Sequence, residues 1–188
     1  MVKEYKGELL FLVIAMGTYV FMATLNISQN YSYFAVVFGI FGLIVAWKIY
    51  EKVDEQSDGN EKMKEIAESI HEGAMVFLSR EYKILGYFVV TVFILLMIVI
   101  SSQKGFWMGF WTSVSYAMGA GCSMLAGFFG MNAATTANVR TAQAASDGGK
   151  AKALNIAFNG GAVMGLSVAS LGLLGVGGLF FLFGKGDS

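Results

Sequence analysis

The only histidine, His71, lies beside carboxylates and a hydroxyl in a charged stretch of the chain, among Glu68, Ser69 and Glu72. Histidine and carboxylates bind metals and transfer protons, but a metal site needs several ligands that converge on one point. One histidine offers too few ligands, and it has no neighbouring nucleophile for a Ser-His-Asp triad. We therefore expect a solvated surface histidine. The chain also lacks a cluster of Asp and Glu that would hold Mg²⁺.

Two further features could carry chemistry by residue type. Cys122 lies in an uncharged stretch, where we expect a packed small side chain, and a single cysteine forms no disulfide framework. Gly160 and Gly161 could cradle a phosphate, but they lack the Lys-Ser/Thr of a P-loop and no strand precedes them. Gly148 and Gly149 indicate a loop between helices. These residues alone predict no catalytic, cofactor-binding or metal-binding site.

The distribution of charge indicates a membrane protein. Hydrophobic residues make up 56% of the chain and charged residues 14%, against about 25% charged residues in a soluble domain. Asp, Glu, Lys and Arg are absent from residues 9–47, 84–103, 105–139 and 153–184. A helix needs about 20 apolar residues to cross the hydrocarbon. A soluble helix would not stay uncharged over such lengths, because one of its faces meets water.

The uncharged stretches predict an all-α polytopic bundle of about five transmembrane spans. The first stretch contains a polar, turn-prone centre at residues 26–32 and is therefore divided into two spans. A β-barrel would alternate apolar and polar residues, and the stretches here are apolar on every side. The N-terminal span is too long for a typical signal peptide and is expected to be retained. The predicted spans are residues 9–25, 33–50, 84–102, 106–134 and 153–183.

The positive charges predict the orientation of the bundle. Lys and Arg collect on the cytosolic side of membranes. On one side of the predicted spans they are numerous, at Lys3, Lys6, Lys48, Lys52, Lys62, Lys64, Arg80, Lys83, Arg140, Lys150 and Lys152. The other side has only Lys104 and Lys185. The N-terminus is therefore predicted inside and the C-terminus outside, as an odd number of spans requires.

A cytosolic helix is predicted at residues 61–83, directly before the third span. Its apolar residues recur at helical spacing, and Asp58 or Asn60 can cap its start. Gly73 is its only breaker, so the helix is expected to continue into the membrane. It is either a lever at the membrane face or an ordinary amphipathic entry helix.

Two stripes of small residues recur every four positions in the last two spans, and such spacing lets helix backbones approach closely. The first consists of Ser115, Gly119, Ser123 and Gly127, the second of Ala157, Gly161, Gly165 and Ala169. Five helices offer these faces few partners. The stripes therefore indicate that the chain belongs to a larger assembly.

Three stretches closely resemble the N-terminal part of the membrane-integral pyrophosphatases, which couple pyrophosphate hydrolysis to H⁺ or Na⁺ pumping. They occur in the same order, spacing and membrane context over roughly residues 50–183. They read DGNEKMKEIAESIHEGA with FLSREYK (residues 58–74 and 77–83), GMNAATTANVRTAQAA (residues 130–145) and ALNIAFNGGAVMGLSV (residues 153–168).

The resemblance implies an N-terminal fragment of a pump of about sixteen spans that works as a homodimer in a prokaryotic cell membrane. Family members bind Mg²⁺ and pyrophosphate through Asp-rich motifs on later helices, which also hold the ion gate, and some depend on K⁺. No catalytic, cofactor or metal residue is therefore expected here, and this chain alone is expected to be inactive. Whether the pumped ion is H⁺ or Na⁺ stays open.

The resemblance divides the chain at residue 50. Residues 1–50 would supply two N-terminal helices, the first additional to the family, and residues 51–188 the cytosolic helix and three spans of the pump. Expected partners are lipid, pyrophosphate, the remaining helices of the pump and a second copy, but no nucleic acid. Asn159 departs from the basic or longer polar residue expected at its position.

The resemblance implies that the helices ending near Arg140 and beginning near Asn155 flank the cytosolic face where pyrophosphate would arrive. Two basic residues lie in this part of the chain, Arg140 and Lys150. They either attract the anion or simply follow the inside-positive rule. The alternative function is a non-enzymatic membrane scaffold or regulatory protein derived from the pump. An independent channel is disfavoured, because the spans carry no ionisable group near their centres.

Overall fold

The computed structural model describes residues 31–183, which form four α-helices. They are α1 (Tyr31–Asp54), α2 (Glu61–Lys104), α3 (Phe106–Ser146) and α4 (Lys150–Phe183). This part of the chain contains no strand, and all four helices are long and apolar enough to cross a membrane. The predicted all-α polytopic fold and the last four predicted spans are thereby confirmed. The first predicted span, residues 9–25, lies outside the described residues.

The predicted cytosolic helix and the third span form one unbroken element, α2. Asn60 caps its start, with its side-chain Oδ1 accepting a hydrogen bond from the Met63 N–H at 2.9 Å. The 44 residues of α2 extend about 66 Å, roughly twice the hydrocarbon thickness. α2 and α3 therefore project well beyond the lipid. They are joined by Gly105 alone, whose φ of +92° favours glycine.

The helices pack in the spatial order α2, α3, α4, α1. α3 contacts both α2 and α4, while α1 packs on α4 and touches α3 lightly. Among the described helices α2 contacts only α3. We call the end where α1 and α3 end and α2 and α4 begin the charged end. At the opposite end the Tyr33 and Phe181 rings lie 4.8 Å apart, which places the start of α1 beside the end of α4.

Many large apolar side chains point away from the bundle. Tyr87 is 78% exposed, Ile98 62% and Val176 73%. On a soluble protein such a surface would aggregate. In a membrane, lipid solvates these side chains, and helix contacts depend on close packing instead.

The closest helix contacts are made by small residues. An ideal Cβ on Gly160 of α4 would lie 2.6 Å from the Ala137 Cβ of α3. On Gly39 of α1 it would lie 2.9 Å from the Ser170 carbonyl oxygen of α4. The buried face of α4 accordingly includes Ile156, Gly160, Val163 and Ser167.

The small-residue stripe predicted in the last span lies on another face of α4. Its four residues, Ala157, Gly161, Gly165 and Ala169, are all exposed. Cβ atoms on Gly161 and Gly165 would meet no heavy atom within 4 Å. The stripe therefore lacks a partner among the described helices, as expected for a face that belongs to a larger assembly. The contacts between α3 and α4 come from neighbouring positions that the four-residue pattern did not identify.

Gly160→Ala should lower the free energy of unfolding by about 1–3 kcal/mol, the usual cost of overpacking. The new methyl would collide with the Ala137 Cβ, which cannot move without its helix. Gly161→Ala is the matched control, because it gains the same helix propensity in open space. Denaturant titration of both variants in detergent micelles, followed by circular dichroism, measures the difference. Equal stabilities would contradict the close approach of α3 and α4.

Candidate functional site at the charged end

Arg140 occupies the last part of α3 and binds the end of α1. Its Nε and Nη2 donate to the Asp54 carbonyl oxygen at 3.1 and 3.0 Å. Nη2 also donates to the Asp54 Oδ1 at 2.6 Å, and Nη1 donates to the Thr136 carbonyl oxygen at 3.0 Å. Each nitrogen of the guanidinium therefore has an acceptor, and the Arg140 side chain is only 15% exposed.

The position of this contact explains why arginine suits it. Asp54 is the last residue of α1, and the final carbonyls of a helix have no partner within the helix. A guanidinium has five donors in a planar fork, so it can satisfy such a carbonyl and a carboxylate together. Arg140 thus caps α1 from the neighbouring helix. The contact borders the apolar cluster that joins these helices, Val53, Ala137, Ala144, Ala153 and Ile156.

A second polar contact involves α3 residues one to two turns before Arg140, on the side towards the membrane. The Asn132 Nδ2 donates to the Tyr50 hydroxyl oxygen at 3.2 Å. That hydroxyl also lies 3.4 Å from the Thr136 Oγ1. Tyr50 and Asp54 are one turn apart on α1, as Thr136 and Arg140 are on α3. Asn132, Thr136 and Arg140 therefore form one row of side chains that binds α1.

His71 makes the corresponding contact between α2 and α3. Its Nδ1 lies 2.9 Å from the Thr135 Oγ1, and that oxygen is 3.1 Å from the carbonyls of both Met131 and Asn132. The tautomer of the imidazole sets which of the two groups donates in this hydrogen bond. The expectation of a solvated histidine was wrong. His71 is half-buried on the side where α2 packs against α3.

The four polar residues of α3 thus hold the helices on both of its sides. Asn132, Thr136 and Arg140 bind α1, and Thr135 binds α2. All four belong to the stretch of residues 130–145 singled out from the sequence. We call this set the α3 clamp.

The clamp changes the interpretation of Arg140. The sequence suggested that Arg140 and Lys150 attract an anion or follow the inside-positive rule. The Arg140 guanidinium is instead committed to α1, while Lys150 is exposed at the first residue of α4. The clamp itself was missed, although the four-residue spacing of Asn132, Thr136 and Arg140 was a readable signal.

The other sequence-predicted features occupy structural positions. Gly160 and Gly161 lie inside α4, where backbone N–H groups serve the helix, so they form no phosphate cradle. Gly148 and Gly149 lie between α3 and α4 as predicted, and Gly148 has a φ of +77°. Cys122 is half-buried in α3. Within residues 31–183 no three His, Cys, Asp or Glu side chains gather where they could hold a metal ion.

Comparison with known proteins gives one consistent family. The family model described as inorganic H⁺ pyrophosphatase matches residues 40–188. A candidate K⁺-stimulated pyrophosphate-energised sodium pump of Clostridium tetani is 46% identical over 156 residues, which cover 83% of this chain and 22% of the relative. A K⁺-insensitive pyrophosphate-energised proton pump of Methanosarcina mazei is 42% identical, over 79% of this chain and 21% of the relative.

A third relative, a K⁺-stimulated pyrophosphate-energised sodium pump of Thermotoga maritima, is 41% identical over 72% of this chain and 18% of its own length. The chain thus spans about one fifth of the length of the curated relatives it matches. Both proton and sodium pumps are among them.

Arg140→Ala should lower the free energy of unfolding by about 1.5–3 kcal/mol, the range for hydrogen bonds to a charged group. Asp54→Ala should cost less, within about 1 kcal/mol. That variant keeps the main-chain carbonyl that accepts two of the bonds, and the Asp54 side chain is 55% exposed. Lys150→Ala is the control for loss of a cation and should leave stability unchanged. The same micelle titration measures all three. An Asp54→Ala loss as large as that of Arg140→Ala would show that the carboxylate, and not the helix cap, dominates.

Proposed function

Because the chain belongs to the inorganic H⁺ pyrophosphatase family, we propose that it forms the N-terminal part of a pyrophosphate-energised cation pump. In this role it supplies scaffold helices, and the catalytic residues lie in the rest of the pump. The observation that carries the proposal is the family match over residues 40–188. Further support comes from the uncharged stretches within the described helices.

The distribution of ionisable groups supports a scaffold role. Within α1 to α4, the stretches 33–47, 84–103, 105–139 and 153–183 contain no Asp, Glu, Lys or Arg. Ion pathways and proton relays through a membrane usually need such groups. Catalysis with Mg²⁺, any dependence on K⁺, the passage of H⁺ or Na⁺ and homodimer formation therefore belong to the whole pump in this proposal.

The α3 clamp gives the scaffold a specific task. The inside-positive rule places the charged end in the cytosol, where pyrophosphate would bind. Coupling of hydrolysis there to ion movement would use helices that shift relative to others that keep their positions. The contacts from Arg140 to α1 and from Thr135 to α2 fix the charged ends of three helices relative to one another.

The proposal also assigns the regions of the chain. Residues 1–50 provide two N-terminal helices, the first additional to the family, and residues 51–188 provide the cytosolic helix and three spans. The family match beginning at residue 40, within α1, supports the additional helix. The lever interpretation of the cytosolic part of α2 is not adopted, because His71 holds it on α3.

A chimera tests the proposal directly. Residues 40–188 replace the matching segment of the Clostridium tetani relative, and Mg²⁺-dependent phosphate release from pyrophosphate is measured in membranes. We expect a hydrolysis rate within about tenfold of the parent, because the two proteins are 46% identical over the 156 matched residues. The 188-residue chain alone should release no phosphate above the rate in empty membranes.

Two outcomes would overturn the proposal. Hydrolysis by the chain alone would place catalytic residues within it. A chimera that inserts and purifies as a folded protein but lacks activity would favour the non-enzymatic scaffold or regulatory protein. A chimera of the parent with its own segment reinserted controls for the junctions.

A further inference from the structure

The side of α2 that faces away from α3 carries two exposed cations near the middle of the helix, Arg80 and Lys83. Leu78 is buried and the Tyr82 hydroxyl donates to the Met124 carbonyl oxygen of α3, so these two residues mark the packed side of α2. Successive residues lie about 100° apart around a helix. Arg80, two positions from both Leu78 and Tyr82, therefore lies on the opposite side, with Lys83 beside it.

We propose that Arg80, Lys83 and the Tyr87 hydroxyl bind the phosphate headgroup of an anionic phospholipid in the cytosolic leaflet. Tyr87 lies two turns after Arg80 on the same face and is 78% exposed. Helix side chains tilt towards the N-terminus, which directs Tyr87 towards Lys83. Basic residues immediately cytosolic of a transmembrane helix attract anionic lipids. The inference does not depend on pyrophosphate hydrolysis.

The position of the two cations matches the headgroup level. Lys83 directly precedes the uncharged stretch 84–103, and Lys104 directly follows it. In a helix this stretch rises about 30 Å, which equals the thickness of the hydrocarbon core. Lys83 therefore lies where the hydrocarbon meets the headgroups, and Arg80 lies about one turn further out. The inside-positive rule places this end of the stretch in the cytosolic leaflet.

The two positive charges are available to a ligand. Within residues 31–183, neither Arg80 nor Lys83 takes part in an ion pair. Glu81 is adjacent in sequence, but it is half-buried and about 100° around the helix from Arg80. Glu72 lies about 12 Å further along the helix, towards its start. A guanidinium offers a planar fork of donors to a phosphate, and a lysine adds a point charge.

The exposed face of α2 below the cations is apolar. Ile84, Ile94 and Ile98 lie on it and are 63%, 51% and 62% exposed. The Thr91 hydroxyl on this face donates to the Tyr87 carbonyl oxygen at 2.8 Å and is thereby satisfied within the helix. The acyl chains of a lipid held at the cations would pass along these side chains, whereas a soluble anion would gain nothing from them. The face therefore fits an amphipathic anion.

Native mass spectrometry of the full chain tests the site, with phosphatidylglycerol and phosphatidylcholine as probes. We expect one phosphatidylglycerol to bind more tightly than any phosphatidylcholine. Arg80→Gln and Lys83→Gln should each weaken it about fivefold, the value for a basic residue near the membrane surface. Lys104→Gln is the matched control, because it removes the same charge at the opposite end of the uncharged stretch. It should change the affinity by less than about twofold, since the attraction falls off within a Debye length.

Tyr87→Phe gives a second test that keeps every charge and the ring. Loss of one hydrogen bond should weaken phosphatidylglycerol binding about threefold and leave phosphatidylcholine binding unchanged, with the helix content by circular dichroism as the folding control. An unchanged affinity for phosphatidylglycerol would remove the hydroxyl from the site and overturn the proposed set of donors.

Three other results would also overturn the site. An effect of Lys104→Gln equal to that of Lys83→Gln would mean diffuse attraction to any interfacial cation. Displacement of the lipid by millimolar inorganic phosphate would favour a soluble anion. The third is a folded chimeric pump in which Arg80→Gln leaves phosphatidylglycerol binding unchanged, because another helix would then cover this face of α2.

Discussion

The close approach of α3 and α4 determines where every other described helix lies. Gly160 and Ala137 bring the two backbones together at a distance that one added methyl group would obstruct. α2 packs only on α3, and α1 packs mainly on α4. Lipid supplies no hydrophobic force between helices. The helices are therefore held together by close packing, which small residues permit. The polar contacts of the α3 clamp depend on this crossing, because it brings α3 within reach of α1, which packs mainly on α4.

The clamp supplies hydrogen-bond donors to the end of α1, which lies near the membrane. The terminal carbonyl of α1 needs a partner, and Arg140 provides it from another helix while it also binds the Asp54 carboxylate. Tyr50, Asn132 and Thr136 repeat the arrangement deeper in the bundle. Such side chains tie helices together without placing charge in the hydrocarbon. The uncharged stretches 84–103, 105–139 and 153–183 of the described helices show the same separation of charge from the hydrocarbon.

Much of the fold was predictable because charge and lipid are incompatible. The uncharged stretches located the four described spans, and Asn60 with the apolar spacing after it located the start of α2. The sequence did not predict how far each helix extends beyond the membrane. Uncharged residues, such as those before Arg140, continue outside the lipid and so do not mark its boundary. The clamp was not predicted, because it depends on which faces of α1, α2 and α3 meet. His71 illustrates the point, since its sequence neighbours are charged but its spatial neighbour is Thr135.

The substitution Arg140→Ala in the chimeric pump distinguishes a structural role of the α3 clamp from a catalytic role most directly. The thermal midpoint and the kcat for pyrophosphate are measured for Arg140→Ala and for the unchanged chimera, with rates normalised to folded protein. A scaffold role for the α3 clamp predicts a lower midpoint, with kcat within about threefold of the unchanged chimera. An unchanged midpoint with kcat reduced a hundredfold or more would place Arg140 in the reaction and contradict a purely structural role for this chain.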